Sequence, residues 1–263
     1  MDNSRAIELK NLSTGYRHRG GETVIASGIN ASLRRGELTC LIGSNGAGKS
    51  TLLRTLAGFI PPLGGEVEVE GRPIGDYTEI ELAKIIGVVL TDRLSLNNVT
   101  VRQVVEMGRS PYTGFWGRLS AEDREIVEEA LELTGITGMQ NRMMHTLSDG
   151  ERQKTMIAKV LAQATPVIIL DEPSAFLDYP SKVDMMQLLL ELARKKDKVV
   201  FQSTHDLDIS LQIADKVWLL DRGKGLTIGS PAELGASGAL NRYFDRRSVA
   251  YNAAEQRFVV NRL

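Results

Sequence analysis

The sequence predicts an α/β fold: a mostly parallel central sheet, an antiparallel β subdomain and an inserted helical subdomain. Short, almost wholly apolar runs recur between helical patterns, two segments alternate strictly in polarity, and strand signals vanish from about residue 100 to residue 164. Runs without a polar face belong to strands buried on both sides, as in parallel sheets, whereas strict alternation belongs to half-exposed strands.

Taken along the chain, residues 7–10 (Ile-Glu-Leu-Lys) and 66–70 (Glu-Val-Glu-Val-Glu) alternate, and the second is bounded by Gly64, Gly65 and Gly71; both are predicted as antiparallel strands. The apolar runs 38–42, 86–90, 167–170, 199–201 and 217–220 are predicted as the central sheet. Between them, residues 100–108 and 120–134 read as helices. Ser120 with Asp123 resembles a capping box, and Ile126/Ala130 and Val127/Leu131 stack at i,i+4 spacing. Beyond residue 230 a weak helix at 240–246 and a short strand at 258–260 are expected, with no chemistry attached. One domain, 1–263, accommodates these parts: an α/β core from 1–95 and 165–230, a helical subdomain at 96–164 and a C-terminal extension at 231–263.

Composition bounds the partners. A net charge of −1 and a pI near 6.4 provide no global positive field for nucleic acid, so none is expected as a ligand. Cys40 is the single cysteine, which excludes an intrachain disulfide and fits a buried thiol in a reducing compartment. Neither a signal peptide nor an apolar stretch of about 20 residues is present, so the chain is expected neither to be secreted nor to cross a membrane.

Chemistry concentrates at Gly43-Ser44-Asn45-Gly46-Ala47-Gly48-Lys49-Ser50, which follows an apolar strand and precedes a helical run opening at Thr51. Strand, glycine loop and helix are the context a phosphate-binding loop requires. Glycines let backbone N–H groups curl around phosphates while the helix start adds a favourable dipole. Lys49 supplies a positive charge to the β- and γ-phosphates, and Ser50 places a hydroxyl where Mg²⁺ would sit. Further on, the apolar run 167–170 delivers Asp171 and Glu172 to the C-terminal edge of a strand, where ligands bind in open α/β sheets. Asp171 is suited to Mg²⁺, leaving Glu172 to polarise the attacking water.

With these two elements, Leu147-Ser-Asp-Gly-Glu-Arg-Gln153 resembles the signature loop of the ATP-binding cassette (ABC) family. The resemblance covers residues 6–230 with motifs in the family's order. It implies a RecA-like P-loop NTPase core, ATP and Mg²⁺ as ligands, and ATP hydrolysis that powers a membrane transporter. It further implies that two copies pair head to tail, so that Ser148 and Gly150 of one close over the triphosphate held by the other. Tyr16 matches the aromatic that stacks on adenine, His205 the switch histidine facing the γ-phosphate, and Asp178 the loop that communicates across the dimer. Residues 100–105, 108–112 and 123–131 resemble ATPases of importers for iron siderophores, haem and cobalamin. Partners implied are a polytopic permease and, indirectly, a substrate-binding protein, with the chain peripheral on the cytoplasmic face of the membrane. A non-transport cassette acting in DNA repair or on the ribosome is the rival; the single cassette, the absence of heptads and the lone cysteine argue against it.

Two departures stand out. Thr91, followed by Asp92, occupies the place of the family's glutamine, so contact of Thr91 with the metal is expected only through water, unless Asp92 takes over. The signature carries Asp149 in place of the commoner glycine and Glu151 in place of glutamine; Asp149 is expected to turn toward solvent or Arg152, away from like charge.

Overall fold

In a computed structural model, which describes residues 5–90, 98–114, 116–222, 225–243, 249–252 and 257–260, each apolar run folds as a strand. The strands are β1 (Arg5–His18), β2 (Gly21–Arg34), β3 (Leu38–Gly43), β4 (Gly64–Val69), β5 (Arg72–Pro73), β6 (Ile86–Val89), β7 (Val167–Asp171), β8 (Val199–Thr204), β9 (Lys216–Asp221), β10 (Gly225–Gly229), β11 (Val249–Asn252) and β12 (Arg257–Val260). The helices are α1 (Lys49–Leu56), α2 (Glu79–Ala83), α3 (Val101–Glu106), α4 (Ala121–Leu133), α5 (Asp149–Ala162), α6 (Tyr179–Lys196), α7 (Leu207–Ile213), α8 (Pro231–Ala236) and α9 (Ala239–Tyr243).

Among the described residues, the central sheet has the order β10-β9-β3-β8-β7-β6. All neighbours are parallel except β10, which returns antiparallel on β9. Both faces are buried, as continuous apolar runs require. Leu38, Cys40 and Ile42 of β3 belong to one hydrophobic cluster, shared with α4, α5 and α6, while Leu41 belongs to a second, shared with α1 and the antiparallel sheet. Phe201 and Trp218 seal the second layer with ring centroids 4.9 Å apart.

The alternating segments pair as expected: Ile7 stands opposite Val69 and Leu9 opposite Val67, antiparallel, within a sheet ordered β2-β1-β4-β5. The longest partner of β1 is β2, whose pairing is interrupted by register shifts. Those shifts break its alternation, so β2 leaves no clean strand pattern in the sequence.

In the helical stretch, α3 and α4 begin at the capping boxes of Thr100/Gln103 and Ser120/Asp123. Asp123 does double duty, accepting from Arg109 Nε at 2.8 Å, while Arg109 Nη1 also donates to the carbonyl of Ala162 on α5 at 2.9 Å. A buried arginine thus holds three segments of the subdomain together. The tail helix expected over 240–246 runs from Ala239 to Tyr243, residues 244–248 lying outside the described residues; Phe258 falls in a β11–β12 hairpin.

Candidate nucleotide site

The parallel strands β6, β7, β8, β3 and β9 end at one edge, and the loops leaving β3, β7 and β8 carry the chemistry. β3 stops at Gly43, the glycine loop follows, and α1 begins at Lys49. Gly46 and Gly48 have φ of +75° and +103°, conformations that side-chain-bearing residues rarely adopt; a Cβ on Gly48 would also stand 2.3 Å from Ile25 Cγ2. Lys49 is 6% exposed, and its ammonium donates to the Gly43 carbonyl at 2.9 Å. Burial holds the Lys49 pKa below its ordinary 10.5, partly offset by the carboxylates of Glu172 and Asp171.

Around that ammonium the carboxylate and the histidine converge. Lys49 Nζ lies 3.3 Å from His205 Nε2 and 3.9 Å from Glu172 Oε1, and His205 Nε2 lies 2.7 Å from the same Glu172 oxygen. Three predicted residues from separate strand ends, up to 156 positions apart, therefore meet in one cluster. Asp171 is 2% exposed at the end of β7, and its Oδ1 accepts from Ser203 Oγ at 2.5 Å.

Ser203 escaped the sequence reading, though it lies two positions before His205. Its hydroxyl accepts from the Glu172 N–H at 3.0 Å while donating to Asp171, and its carbonyl also accepts from the Glu172 N–H at 3.2 Å. Glu172 has φ of +52°, an uncommon conformation for a residue with a side chain, and these bonds hold it there. Asp206 was likewise missed: it accepts from Ser174 Oγ and Lys182 Nζ, both at 2.8 Å, tying the 174–178 loop to the loop of His205.

Tyr16, on β1, lies within hydrogen-bond distance (3.1 Å) of Thr51 Oγ1 and leaves its ring half-exposed beside the first turn of α1. Ser44, Asn45, Gly46 and Ser50 are exposed, whereas Ala47 is buried. The oxygens that would serve a hard cation here are the Ser50 hydroxyl and the Asp171 carboxylate. Such a sparse oxygen set suits Mg²⁺, which keeps most of its shell as water and phosphate oxygen.

Ser148 and Gly150 are placed elsewhere, at the start of α5. Ser148 Oγ accepts from the Glu151 N–H at 3.3 Å, and the Glu151 carboxylate accepts from the Ser148 N–H at 2.8 Å. Gly150 packs on the loop after the carboxylates, where a Cβ would stand 3.2 Å from Leu177 Cδ2. Asp178 caps α6 by accepting from the Ser181 N–H at 3.1 Å; the Ser181 side chain first, and that N–H next, hold its carboxyl below the usual range. Glu151 is held low in the same way, chiefly by the Ser148 N–H, with Arg142 at 2.8 Å beside it. Asp149 points its carboxylate to within 3.8 Å of Arg152. Thr91 and Asp92 lie outside the described residues.

The model of the ABC transporter family matches residues 26–175. The hemin import ATP-binding protein of Streptomyces coelicolor is 41% identical over 230 residues, 87% of this chain and 80% of that protein. The ferric enterobactin transport ATP-binding protein of Escherichia coli is 35% identical over 238 residues, 90% and 86% of the two chains. Among solved structures, a dimeric bacterial ABC transporter cassette superposes with a TM-score of 0.76 at 27% identity, over 86% of this chain and 98% of that one. The same cassette in a post-hydrolysis state with ADP and Pi gives 0.74 at 26% identity, with the same shares covered.

Proposed function

Because the chain belongs to the ABC transporter family, whose model and relatives span most of its length, we propose that it is the ATP-hydrolysing subunit of an importer for iron-siderophore, haem or cobalamin-type cargo. The observation that carries the chemistry is the Lys49–Glu172–His205 cluster at the mouth of a glycine loop.

In this reading the backbone from Gly43 to Thr51 wraps the phosphates, Tyr16 stacks on adenine, and Lys49 neutralises the β- and γ-phosphates. Lys49 already faces a carboxylate, a histidine and a carbonyl, so the triphosphate would take over partners that the cluster now supplies internally. Ser50 and Asp171 would hold Mg²⁺, which would supply charge neutralisation on the phosphate oxygens. Glu172 accepts a proton from water as the water oxygen bonds to the γ-phosphorus and the bond to the bridging oxygen of ADP breaks. His205, hydrogen-bonded to Glu172, faces the same phosphate. Ser203 holds the Asp171 carboxylate and the main chain of Glu172 and so acts as a positioning residue.

Ser148 and Gly150 open α5, with contacts to Glu151 and Leu177, and in this reading they would meet the triphosphate of a second copy of the chain, head to tail. The dimeric state of the related cassette supports the same arrangement. The division into core (1–95 and 165–230), helical subdomain (96–164) and extension (231–263) fits these roles. A permease would dock on the helical subdomain, where Met107, Tyr112 and Trp116 are exposed, beside Ile80 on α2 of the core, which is also exposed. Lys84, one turn after Ile80, lies over the Tyr112 ring at 5.6 Å and brings the end of α2 to Tyr112. Among the described residues no helix is long and apolar enough to cross a membrane, so attachment at the cytoplasmic face would be through that partner, and contact with a substrate-binding protein indirect.

Phosphate release measured on the parent chain and on Glu172→Gln tests the reading. Turnover is expected to fall by at least about 100-fold, with nucleotide affinity kept within about threefold. Equal turnover in the two proteins would remove Glu172 from the mechanism.

A further inference from the structure

The glycine loop is held at its start by a side chain from the far end of the chain. Ser44, the first residue after β3, donates its N–H to the Tyr243 hydroxyl at 3.0 Å, and that hydroxyl donates to the Leu220 carbonyl at 3.0 Å. Gly43 and Leu220 are register partners in the parallel β3–β9 pair. The tyrosine hydroxyl therefore adds one rung to the ladder, just past the last residue of β3. The other two bonds there are internal: the Gly43 carbonyl takes Lys49 Nζ, and the Ser44 carbonyl takes the Ala47 N–H at 3.1 Å.

We infer that Tyr243 is a positioning residue for nucleotide binding, its hydroxyl fixing the first peptide of the phosphate loop so that the amides beyond it keep the shape that meets the triphosphate. The inference rests on the nucleotide-binding reading of that loop. A segment with glycines at φ of +75° and +103° has little conformational preference of its own, so its shape depends on what holds its ends. Lys49 and α1 hold the far end. Tyr243 and β9 hold the near end.

The tail is built to keep Tyr243 in place. Tyr243 closes α9, and Asn241 on the same helix accepts from the Tyr251 N–H at 2.7 Å. Tyr251 covers Gly235 on α8, where a Cβ would stand 2.8 Å from its ring, and it packs on Phe258 with centroids 5.2 Å apart. The Phe258 N–H reaches toward Asp208 at 3.5 Å on α7, the helix that follows His205. The extension thus lies against both the loop that grips phosphate and the helix behind the switch histidine.

A tail that merely packs would affect stability alone, and Tyr243→Phe separates the two cases because it keeps the ring and deletes both hydrogen bonds. Expected are a three- to tenfold rise (roughly) in the Kd for Mg·ATP and in KM, with kcat changed by less than about twofold. Hydrogen exchange provides a second measurement on the protein without nucleotide. The Ser44 amide of the parent should exchange at least about tenfold slower than an exposed peptide amide, and Tyr243→Phe should abolish that protection while Leu41 keeps its own. Parental Kd and KM in a folded Tyr243→Phe, or a Ser44 amide unprotected in the parent, overturns the inference. A parent that binds no nucleotide overturns the nucleotide reading instead, and the Ser44 exchange still decides whether the brace exists.

Discussion

At the scale of single residues, the site is organised by charges that compensate one another before any phosphate arrives. Burial lowers the Lys49 pKa from 10.5, and the carboxylates of Glu172 and Asp171 recover only part of the shift. Between the lowered value and 10.5 the folded chain has released this proton and the unfolded chain has kept it. Lys49 therefore costs stability at neutral pH, a cost relieved as pH rises through that window. Phosphates at the ammonium favour its charged form, so nucleotide binding is expected to take up a proton in the same alkaline window. Calorimetry in buffers of different ionisation enthalpy measures that uptake, and buffer-independent heats throughout would contradict it. Ser203 gives a second expectation. Its hydroxyl contacts both Asp171 and the backbone of Glu172, whose φ of +52° needs support. Ser203→Ala is expected to lower kcat roughly tenfold, about 1.4 kcal/mol, with little change in nucleotide affinity, and Ser203→Thr to restore part of it. An unchanged kcat in Ser203→Ala would show that the backbone carbonyl alone holds Glu172.

At the scale of elements, the N-terminus of α5 serves two ends that can be separated. Ser148 caps the helix through Glu151, so Ser148→Ala should cost about 1 kcal/mol of stability whatever else it does. Asparagine caps as well as serine but lacks the hydroxyl, so Ser148→Asn should keep the melting temperature while weakening ATP-driven pairing of two chains. Sedimentation with Mg·ATP in a Glu172→Gln background reads the pairing; parental dimerisation in Ser148→Asn would confine Ser148 to its cap. Elements also show what was legible in the sequence. The central strands were readable because both faces are apolar, and α4 because Ser120, Asp123 and the i,i+4 pairs fix its start and buried face. β2 was not, because register shifts break its alternation. Lys49, Glu172 and His205 were legible through local motifs. Ser203 and Tyr243 act through contacts across 32 and 199 positions, which leave no local pattern.

At the scale of the whole molecule, the proposed transport role requires nucleotide-driven work to leave through a surface, and Tyr112 and Trp116 of the helical subdomain are the residues proposed to meet the partner. Trp116 is 82% exposed and Ile80 64%, so both are available for burial against a partner. Arg109 lies over the Tyr112 ring at 4.0 Å, so the same surface is braced from beneath by the arginine that ties α5 to the Asp123 end of α4. A partner pressing on Tyr112 would therefore push on the helix that begins at Ser148, and motion at the signature loop would be felt at the docking surface. A charged residue at Tyr112 or Trp116 should break that coupling without touching the phosphate cluster. Trp116→Glu is expected to lose copurification with a polytopic membrane protein, and the stimulation that such a partner gives, while ATP turnover of the isolated chain stays within about twofold. Pull-down from solubilised membranes alongside phosphate release would measure both. Full retention of the membrane partner by both Trp116→Glu and Tyr112→Glu would move the docking surface to another face of the molecule.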